Sequence, residues 1–313
     1  MIIRDGWKSW PNEKQLIPLK DLVMPGSHNA GTSFLDKNME IGPSASSTIQ
    51  NLGRCCGCCG CFKSVVHNWS VTHSLTIYDQ LLSGIRYLDL RVAYRAEDNE
   101  MYMIHALYGR TIQQVLEEVN RFVAEYPKEI VILDFKFYNM DTASHKTLAD
   151  MLIAKFGKIL RAPGEDGPKV TLQEMWGKAE TIIVIYNNTD VVNTHPSFWS
   201  TQFISAPWPN TADVNVMLDF LNRHSAERAS ASDDAFHAPQ ALLTPQPTTV
   251  ICNICSTLKD VLARPCNRRV TAWLKTLIET KSHKHKFNII MADFVEIEEF
   301  IPTVVSLNYI SRK

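Results

Sequence analysis

VILDF (131–135) and NIIMADF (288–294) are the two stretches that decide the fold class. Both are almost continuously apolar, without the polar–apolar alternation of a sheet that has one face in water. Strands of this kind are buried on both faces, as in a parallel sheet that is covered by helices. They predict strands over 130–135 and 287–294 in an α/β protein.

Shorter β-rich stretches alternate with amphipathic ones along the rest of the chain. Further strands are predicted over 19–24, 85–94, 102–105, 181–186 and 241–244. Apolar spacing predicts helices over 111–126, 145–160, 266–281 and 298–310, with a short helix over 74–82. In a chain of 313 residues, this alternation favours a distorted (β/α)8 TIM barrel over an open doubly wound sheet. We expect a single domain, 1–313.

Two segments interrupt the alternation. A Cys-rich insertion spans about 33–68, and a polar segment at about 224–239 is predicted to be a mobile loop. Three interpretations of the cysteine cluster stay open: a loop of free thiols, an acylated loop that faces a membrane, and a zinc site that Cys252 and Cys255 complete. The clustered cysteines are Cys55, Cys56, Cys58, Cys59 and Cys61.

The charge balance argues against several functional classes. The 32 Lys and Arg residues are matched by 33 Asp and Glu residues, so nothing suggests a nucleic-acid surface. The chain has no apolar run near the roughly 20 residues of a membrane span, and its N-terminus, MIIRDGWKSW, lacks the apolar core of a signal peptide. We therefore expect a cytoplasmic monomer without a nucleic-acid partner.

Polar residues lie at or near the ends of four predicted strands. The carboxyl ends of barrel strands surround one mouth, where active sites are built. We therefore expect the side chains at these ends to converge, although Asp89–Arg91 and Asp134–Lys136 are also compatible with purely structural ion pairs. The four stretches are MPGSHNAGT (24–32) with His28 and Asn29, GIRYLDLRVAY (84–94) with Asp89 and Arg91, MYMIHALYG (101–109) with His105, and VILDFKFY (131–138) with Asp134 and Lys136.

The residue types in this set suit cleavage of a phosphodiester. Two imidazoles can divide the work of general base and general acid near neutral pH. Arg and Lys can hold a phosphate and stabilise its growing negative charge, while carboxylates fix the imidazole tautomers. Gly26 and Gly31 beside His28 would permit the close approach of a ligand or unusual backbone angles. Such a set suits attack by an internal hydroxyl and needs no metal.

The same motifs resemble a known family. PGSHNAGT, GIRYLDLRV, the His of MYMIHALYG and EIVILDF together resemble the X domain of phosphatidylinositol-specific phospholipases C. WSVTHSLTIYDQLLSGIRYLDLRV is similar to the stand-alone X-domain-containing proteins of eukaryotes. The resemblance covers nearly the whole chain except the cysteine cluster. It implies a distorted TIM barrel that cleaves an inositol phospholipid, at a peripheral membrane surface, to diacylglycerol and a (cyclic) inositol phosphate.

The resemblance also implies roles for individual residues. His28 would be the general base, supported by Asp293, and His105 the general acid, aided by Asp89. Arg91 would clamp the phosphate, and substrate contacts would come from Asn29, Lys136 and Tyr186.

Arg91 and Lys136 stand where calcium-dependent members carry acids, so neither a metal nor another cofactor is expected. Asn29 departs from the Asp of the bacterial pattern. Trp69 and Trp208 are candidate membrane contacts.

Two alternative functions remain. A catalytically weak or inactive inositol-lipid-binding protein would keep the same basin, that is, the group of polar side chains expected at the barrel mouth. A glycerophosphodiesterase-like enzyme would carry Glu-x-Asp on the second strand, where this chain has Asp89-Leu90-Arg91.

Overall fold

The protein is described here from a computed structural model that covers residues 12–56, 60–230, 234–282 and 284–310, with the backbone alone described at 12 and 54–56. In chain order its strands are β1 (Met24–Ser27), β2 (Tyr87–Arg95), β3 (Glu100–His105), β4 (Leu107–Thr111), β5 (Val131–Tyr138), β6 (Ile182–Tyr186), β7 (Ile204–Ser205), β8 (Phe236–His237) and β9 (Ile289–Ala292). The helices are α1 (Asn12–Gln15), α2 (Ser47–Cys56), α3 (Gly60–Ser70), α4 (Ile77–Ser83), α5 (Ile112–Glu125), α6 (Thr142–Phe156), α7 (Leu172–Gly177), α8 (Thr189–Thr194), α9 (Val214–Ser230), α10 (Pro247–Cys252), α11 (Arg264–Glu279) and α12 (Phe300–Ser306).

Parallel strands form most of a barrel wall, in the order β9–β1–β2–β5–β6. The wall continues through a bridge between Ile185 and Trp199 to the short parallel pair β7–β8. A second bridge, from Gln240 to Met291, returns to β9 and closes the ring. The predicted distorted barrel is therefore confirmed, and the distortion lies in the two-residue strands opposite β2.

The carboxyl half of β2 leaves the barrel and forms an antiparallel sheet. It pairs with β3, which pairs with β4. His105 ends β3, so it comes from an antiparallel extension, whereas the sequence analysis placed it at the carboxyl end of a barrel strand.

The barrel interior is apolar at the amino ends of the strands and polar at the carboxyl ends. Tyr87 and Ile132 are paired in register and lie in the interior cluster. The next inward positions pair Asp89 with Asp134, and then Arg91 with Lys136. Because side chains alternate along a strand, one face of β2 and β5 runs from the apolar core to the mouth.

The strand predicted over 19–24 is wrong at its amino end. Leu19–Asp21 forms a turn of 3-10 helix, and β1 begins at Met24. Leu19 and Leu22 are fully buried and close the amino end of the barrel. The Asn288 side chain donates to the carbonyls of both leucines, which holds this plug in place.

Three other predictions of local structure need correction. Residues 241–244 lack a strand, since the neighbouring chain contributes only the Gln240 bridge. The segment predicted as a loop at about 224–239 contains β8 and the end of α9, because HSAERAS (224–230) contains strong helix formers, and its residues 231–233 lie outside the described residues. The Cys-rich insertion carries α2 and α3 rather than only a loop. Gly57, Cys58 and Cys59 lie outside the described residues.

Candidate active site

β1 carries His28 to the mouth of the barrel. The backbone N–H of His28 donates to the Ala292 carbonyl at 3.1 Å, which extends the β1–β9 ladder by one step. Asn29 then turns the chain with a φ of 48°, in the left-handed region that Asn tolerates better than most residues. His28 is consequently fixed against the end of β9, where Asp293 follows.

The two glycines that flank His28 serve packing. A Cβ on Gly26 would lie 2.9 Å from both Tyr87 and Ile289. A Cβ on Gly31 would lie 2.5 Å from the terminal methyl of Met103. Both positions therefore require the absence of a side chain, and the expectation that they open space for a ligand is wrong.

The hydrogen bonds of His28 define its tautomer. Its Nδ1 lies 2.7 Å from Oδ1 of Asp293, a buried carboxylate that accepts. Its Nε2 lies 3.1 Å from Nη2 of Arg91, and a guanidinium has no acceptor. Nδ1 therefore carries the proton, and Nε2 presents a lone pair to the basin.

A four-residue charge cluster on β2 and β5 lies beside this imidazole. One oxygen of Asp89 accepts from Lys136 Nζ at 2.8 Å, and the other accepts from Arg91 Nη2 at 3.3 Å. Lys136 Nζ also lies 3.2 Å from Asp134, which accepts a 2.5 Å hydrogen bond from the Tyr87 hydroxyl. The two cations are thus held by carboxylates buried beneath them.

The cluster keeps both cations charged. Burial raises the pKa of Asp89, but the charges of Lys136 and Arg91 outweigh burial and hold that pKa well below its usual range. Burial likewise lowers the pKa of Lys136, and the nearby Asp89 and Asp134 reverse the shift to a raised pKa. Burial also lowers the pKa of Arg91, and the negative charge of Asp89 is the main cause that reverses this shift to a raised pKa.

His105 approaches from the opposite side of the basin. Its Nδ1 donates to the backbone carbonyl of Ser70 at 2.6 Å, since a carbonyl only accepts. Burial first, and then the positive charge of Arg91, lower the pKa of His105 to about 4. The imidazole is therefore neutral near pH 7 when the basin holds no anion.

The two imidazoles are neighbours in an edge-to-face arrangement. Their ring centroids are 6.4 Å apart and their planes are inclined at 78°. The structure thus brings together His28, Asp89, Arg91, His105, Lys136 and Asp293.

Two of the predicted residues do not line the basin as expected. Tyr186 is only 1% exposed and belongs to the outer layer, where it stacks on Phe198 and its hydroxyl bonds to His145. This position removes it from the candidate substrate contacts. Asn29 lies beneath the basin, and its side chain donates to His28 Nε2 at 3.2 Å.

Asp89 does not support His105 directly. One of its oxygens serves Lys136, and the other serves Arg91 and the backbone N–H of Asn29. The partner of His105 is the Ser70 carbonyl, for which the sequence analysis predicted no role. Because every residue has a backbone carbonyl, the sequence of side chains does not indicate which carbonyl accepts this hydrogen bond.

The two tryptophans predicted to contact a membrane differ in exposure. Trp69 is buried in the main core at 6% exposure, so it cannot contact a membrane. Trp208 is 49% exposed in the segment after β7, and its indole N–H donates to Thr244. Ile251 and Ile254 are also exposed, in the charge-free stretch 241–258.

The described cysteines do not identify a metal site. Cys61, Cys252 and Cys255 are exposed free thiols, and Cys266 is buried. Over the described ranges, no three His, Cys, Asp or Glu side chains gather as a possible ligand set. None of the helices in those ranges has the length and apolar character that a membrane crossing requires.

Comparison with known proteins shows the family to which this chain belongs. Residues 65–187 match the family described as "Phosphatidylinositol-specific phospholipase C, X domain". The chain is 32% identical over 311 residues to human PI-PLC X domain-containing protein 3, covering 98% of this chain and 94% of that protein. It is 34% identical over 307 residues to mouse PI-PLC X domain-containing protein 2, covering 97% and 87%.

The chain belongs to the PI-PLC X domain-containing protein family.

The fold of this family member is shared with bacterial phosphatidylinositol-specific phospholipases C. A pentafluoro-Phe-containing form of the Staphylococcus aureus enzyme superposes with a TM-score of 0.67 at 14% identity, over 97% of each chain. The Listeria monocytogenes enzyme superposes with a TM-score of 0.63 at 15% identity, over 99% of each chain. The same distorted TIM barrel therefore occurs in proteins that share only 14–15% sequence identity with this chain.

Proposed function

We propose that the protein is a metal-independent phosphodiesterase that cleaves phosphatidylinositol-type lipids to diacylglycerol and a cyclic inositol phosphate. The observation that carries this proposal is the pair of imidazoles 6.4 Å apart with Arg91 beside them. One imidazole presents a lone pair and the other is held by a backbone carbonyl.

His28 is the general base in this mechanism. Its Nε2 removes the proton from the 2-hydroxyl of the inositol ring, and that oxygen attacks phosphorus to form the cyclic P–O bond. The imidazolium that results donates to Asp293, which stabilises its charge. Asn29, bonded to the same Nε2, positions the ring before the substrate arrives.

Arg91 and Lys136 act on the phosphoryl group. Arg91 Nη2 lies 3.1 Å from the catalytic nitrogen of His28, so a phosphate oxygen bound to this guanidinium would lie beside the attacking hydroxyl. Lys136 is partly exposed above Asp89 and Asp134 and adds a second positive charge. Preorganised cations of this kind stabilise the negative charge of the transition state.

His105 is the general acid. At rest it is neutral, because burial and Arg91 lower its pKa to about 4. A bound phosphodiester anion neutralises Arg91 and adds negative charge nearby, so the pKa of His105 rises in the complex. The protonated ring then gives its proton to the diacylglycerol oxygen as the P–O bond to that oxygen breaks.

The occupation of Asp89 by cations supports the absence of a calcium requirement. Calcium takes six to eight oxygen ligands, several of them anionic. At Asp89 a calcium ion would have to displace both Lys136 and Arg91, whose charges repel it.

A membrane surface is the site at which the protein meets its substrate. Trp208, Ile251 and Ile254 are exposed on segments that follow β7 and β8, at the carboxyl side of the barrel. Structures of the Staphylococcus aureus enzyme have been determined in work on the modulation of its membrane binding. The exposed residues Trp208, Ile251 and Ile254 form what we call the charge-free rim. We propose that this rim and the neighbouring mouth make peripheral contact with a bilayer.

The proposal is tested by incubating the protein with vesicles of defined phosphatidylinositol in EDTA and following the products by ³¹P NMR. The expected product is a 1,2-cyclic inositol phosphate, formed with diacylglycerol. Vesicle binding with no phosphorus-containing product would favour the inositol-lipid-binding alternative. Turnover that disappears with EDTA and returns with calcium would contradict the metal-independent mechanism.

A further inference from the structure

Ser70–His73 runs from the last residue of α3 into the connection to α4, and it contacts both catalytic imidazole residues and the residue after Asp293. It lies outside the barrel and follows the Cys-rich insertion. We propose that this segment is a positioning element that sets the two imidazoles relative to each other, with His73 as its principal side chain. The expected effect on rate rests on the proposed function.

The segment holds His28 through its backbone. The His73 Nε2 donates to the His28 carbonyl at 2.8 Å. The Thr72 hydroxyl lies 3.2 Å from the same carbonyl and 3.1 Å from the carbonyl of Asn29. The two residues therefore restrain the peptide that joins His28 to the left-handed turn at Asn29.

Thr32 orients the Thr72 hydroxyl toward those carbonyls. The Thr32 hydroxyl accepts from the Thr72 backbone N–H at 3.0 Å, and the two hydroxyls are 2.7 Å apart. If Thr32 donates its hydrogen to Thr72, the Thr72 hydrogen is left for His28 or Asn29. Both hydroxyls then have hydrogen-bond partners, and the Thr72 hydroxyl acts as a donor to the His28–Asn29 backbone.

The same segment reaches the partners of His28. The Thr72 carbonyl accepts from the backbone N–H of Phe294 at 2.7 Å, directly after Asp293. The Ser70 carbonyl accepts from Nδ1 of His105 at 2.6 Å. One tetrapeptide consequently contacts the backbone of the general base, the residue that follows its carboxylate partner, and the ring of the general acid.

His73 is a costly residue for simple packing. It is fully buried, and among the described residues its Nδ1 has no hydrogen-bond partner. A buried polar atom without a partner destabilises the fold, whereas an apolar side chain would fill the space without this cost. The hydrogen bond to the His28 carbonyl is the feature that only a donor can provide. Burial also lowers the pKa of His73, which keeps the ring neutral.

The position of the His28 peptide determines the direction of its ring. A misplacement of about 1 Å in a catalytic group costs on the order of 10²-fold in rate. The loss should fall on kcat, because His73 contacts the backbone of the base rather than the substrate.

The test compares His73→Leu with His73→Gln, whose amide can donate to the same carbonyl. We expect kcat of His73→Leu to fall about 10²-fold with KM unchanged, whereas His73→Gln retains most of the wild-type rate. Thermal unfolding should show His73→Leu to be as stable as the wild type. His224→Leu, on α9, is the matched control and should leave kcat unchanged.

Ring ¹⁵N spectra of His28 provide a readout that does not depend on turnover. We expect His73→Leu to alter the balance of His28 tautomers and His73→Gln to preserve it. Wild-type tautomers and kcat in His73→Leu would overturn the proposal, as would a rate loss equal in both variants. If the wild-type protein cleaves no inositol lipid, the proposed function fails while these spectra still decide the positioning role.

Discussion

Nδ1 of His28 lies 2.7 Å from Oδ1 of Asp293, although 265 positions separate the two residues in the chain. The parallel pairing of β1 with β9 produces this contact, because the two strands end at the same level and each is followed by one of the pair. The contact fixes the proton on Nδ1 and leaves Nε2 to act as a base.

Asp293→Asn should remove this control while preserving the shape of the site. An amide can donate to Nδ1, which favours the tautomer with the proton on Nε2 and disables the base. We expect kcat on phosphatidylinositol to fall by roughly 10²–10⁴-fold, with little change in the thermal midpoint. Steady-state kinetics measure the effect, and Asp219→Asn on the exposed side of α9 is the control. An undiminished kcat in Asp293→Asn would remove the carboxylate from the mechanism.

The His105 pKa of about 4 in the free protein predicts a specific titration. Ring NMR signals should show His105 titrating well below the ordinary value of about 6.5. Addition of inositol 1-phosphate should raise the pKa, because its anion offsets the charge of Arg91. A pKa that stays constant when the anion binds would contradict the assignment of His105 as the acid.

The same pKa predicts how stability depends on pH. The unfolded chain holds the His105 proton between about pH 6.5 and 4, whereas the folded protein does not. Stability should therefore fall as the pH decreases through this window. His105→Gln should reduce that slope in denaturant titrations. An unchanged slope in His105→Gln would contradict the lowered pKa.

Arg91→Lys tests the cation at the centre of the site. A lysine keeps the charge but loses the planar fork that binds two oxygens at once. We expect kcat to fall about 10²-fold or more, measured with EDTA present, and added calcium should not restore it. Arg95→Lys, in a pair with Glu40 near the surface, should have little effect. Full recovery of Arg91→Lys by calcium would mean that a metal takes the place of the guanidinium.

Trp208→Ala should separate lipid-surface binding from chemistry. The loss of an exposed indole from the charge-free rim should weaken binding to phosphatidylinositol vesicles by several-fold. The rate on a soluble inositol phosphodiester should stay the same. Leu16→Ala is a suitable control, because Leu16 is exposed beyond the closed amino end of the barrel. Unaltered vesicle binding in Trp208→Ala would place the membrane contact on another face.

The sequence predicts the residues of β2 and β5 well because charged side chains reveal the inward face. Asp134 and Lys136 interrupt an apolar stretch at alternate positions, so the direction of the whole strand follows from them. In TIIVIY (181–186) no such marker exists, since a parallel strand is apolar on both faces. The inward set proves to be Ile183 and Ile185, which leaves Tyr186 in the outer layer.

The pattern of side chains in the sequence does not predict contacts that the backbone makes. The sequence identifies His105 as a functional candidate, but its partner is the carbonyl of Ser70 at the end of α3. That contact depends on how the Cys-rich insertion packs against the barrel, which no local periodicity encodes. The left-handed turn at Asn29 and the clamp from Thr72 arise in the same way.

The most direct test of the central claim uses two substrates with different leaving groups. One is phosphatidylinositol, and the other is a p-nitrophenyl ester of inositol 1-phosphate, whose leaving group needs no proton from an acid. We expect His105→Ala to lose on the order of 10²–10⁴-fold on the lipid and to recover most of its rate on the activated ester. His28→Ala should remain impaired on both, because the inositol hydroxyl still needs a base. Equal losses for His105→Ala on the two substrates would contradict a division of labour between the imidazoles.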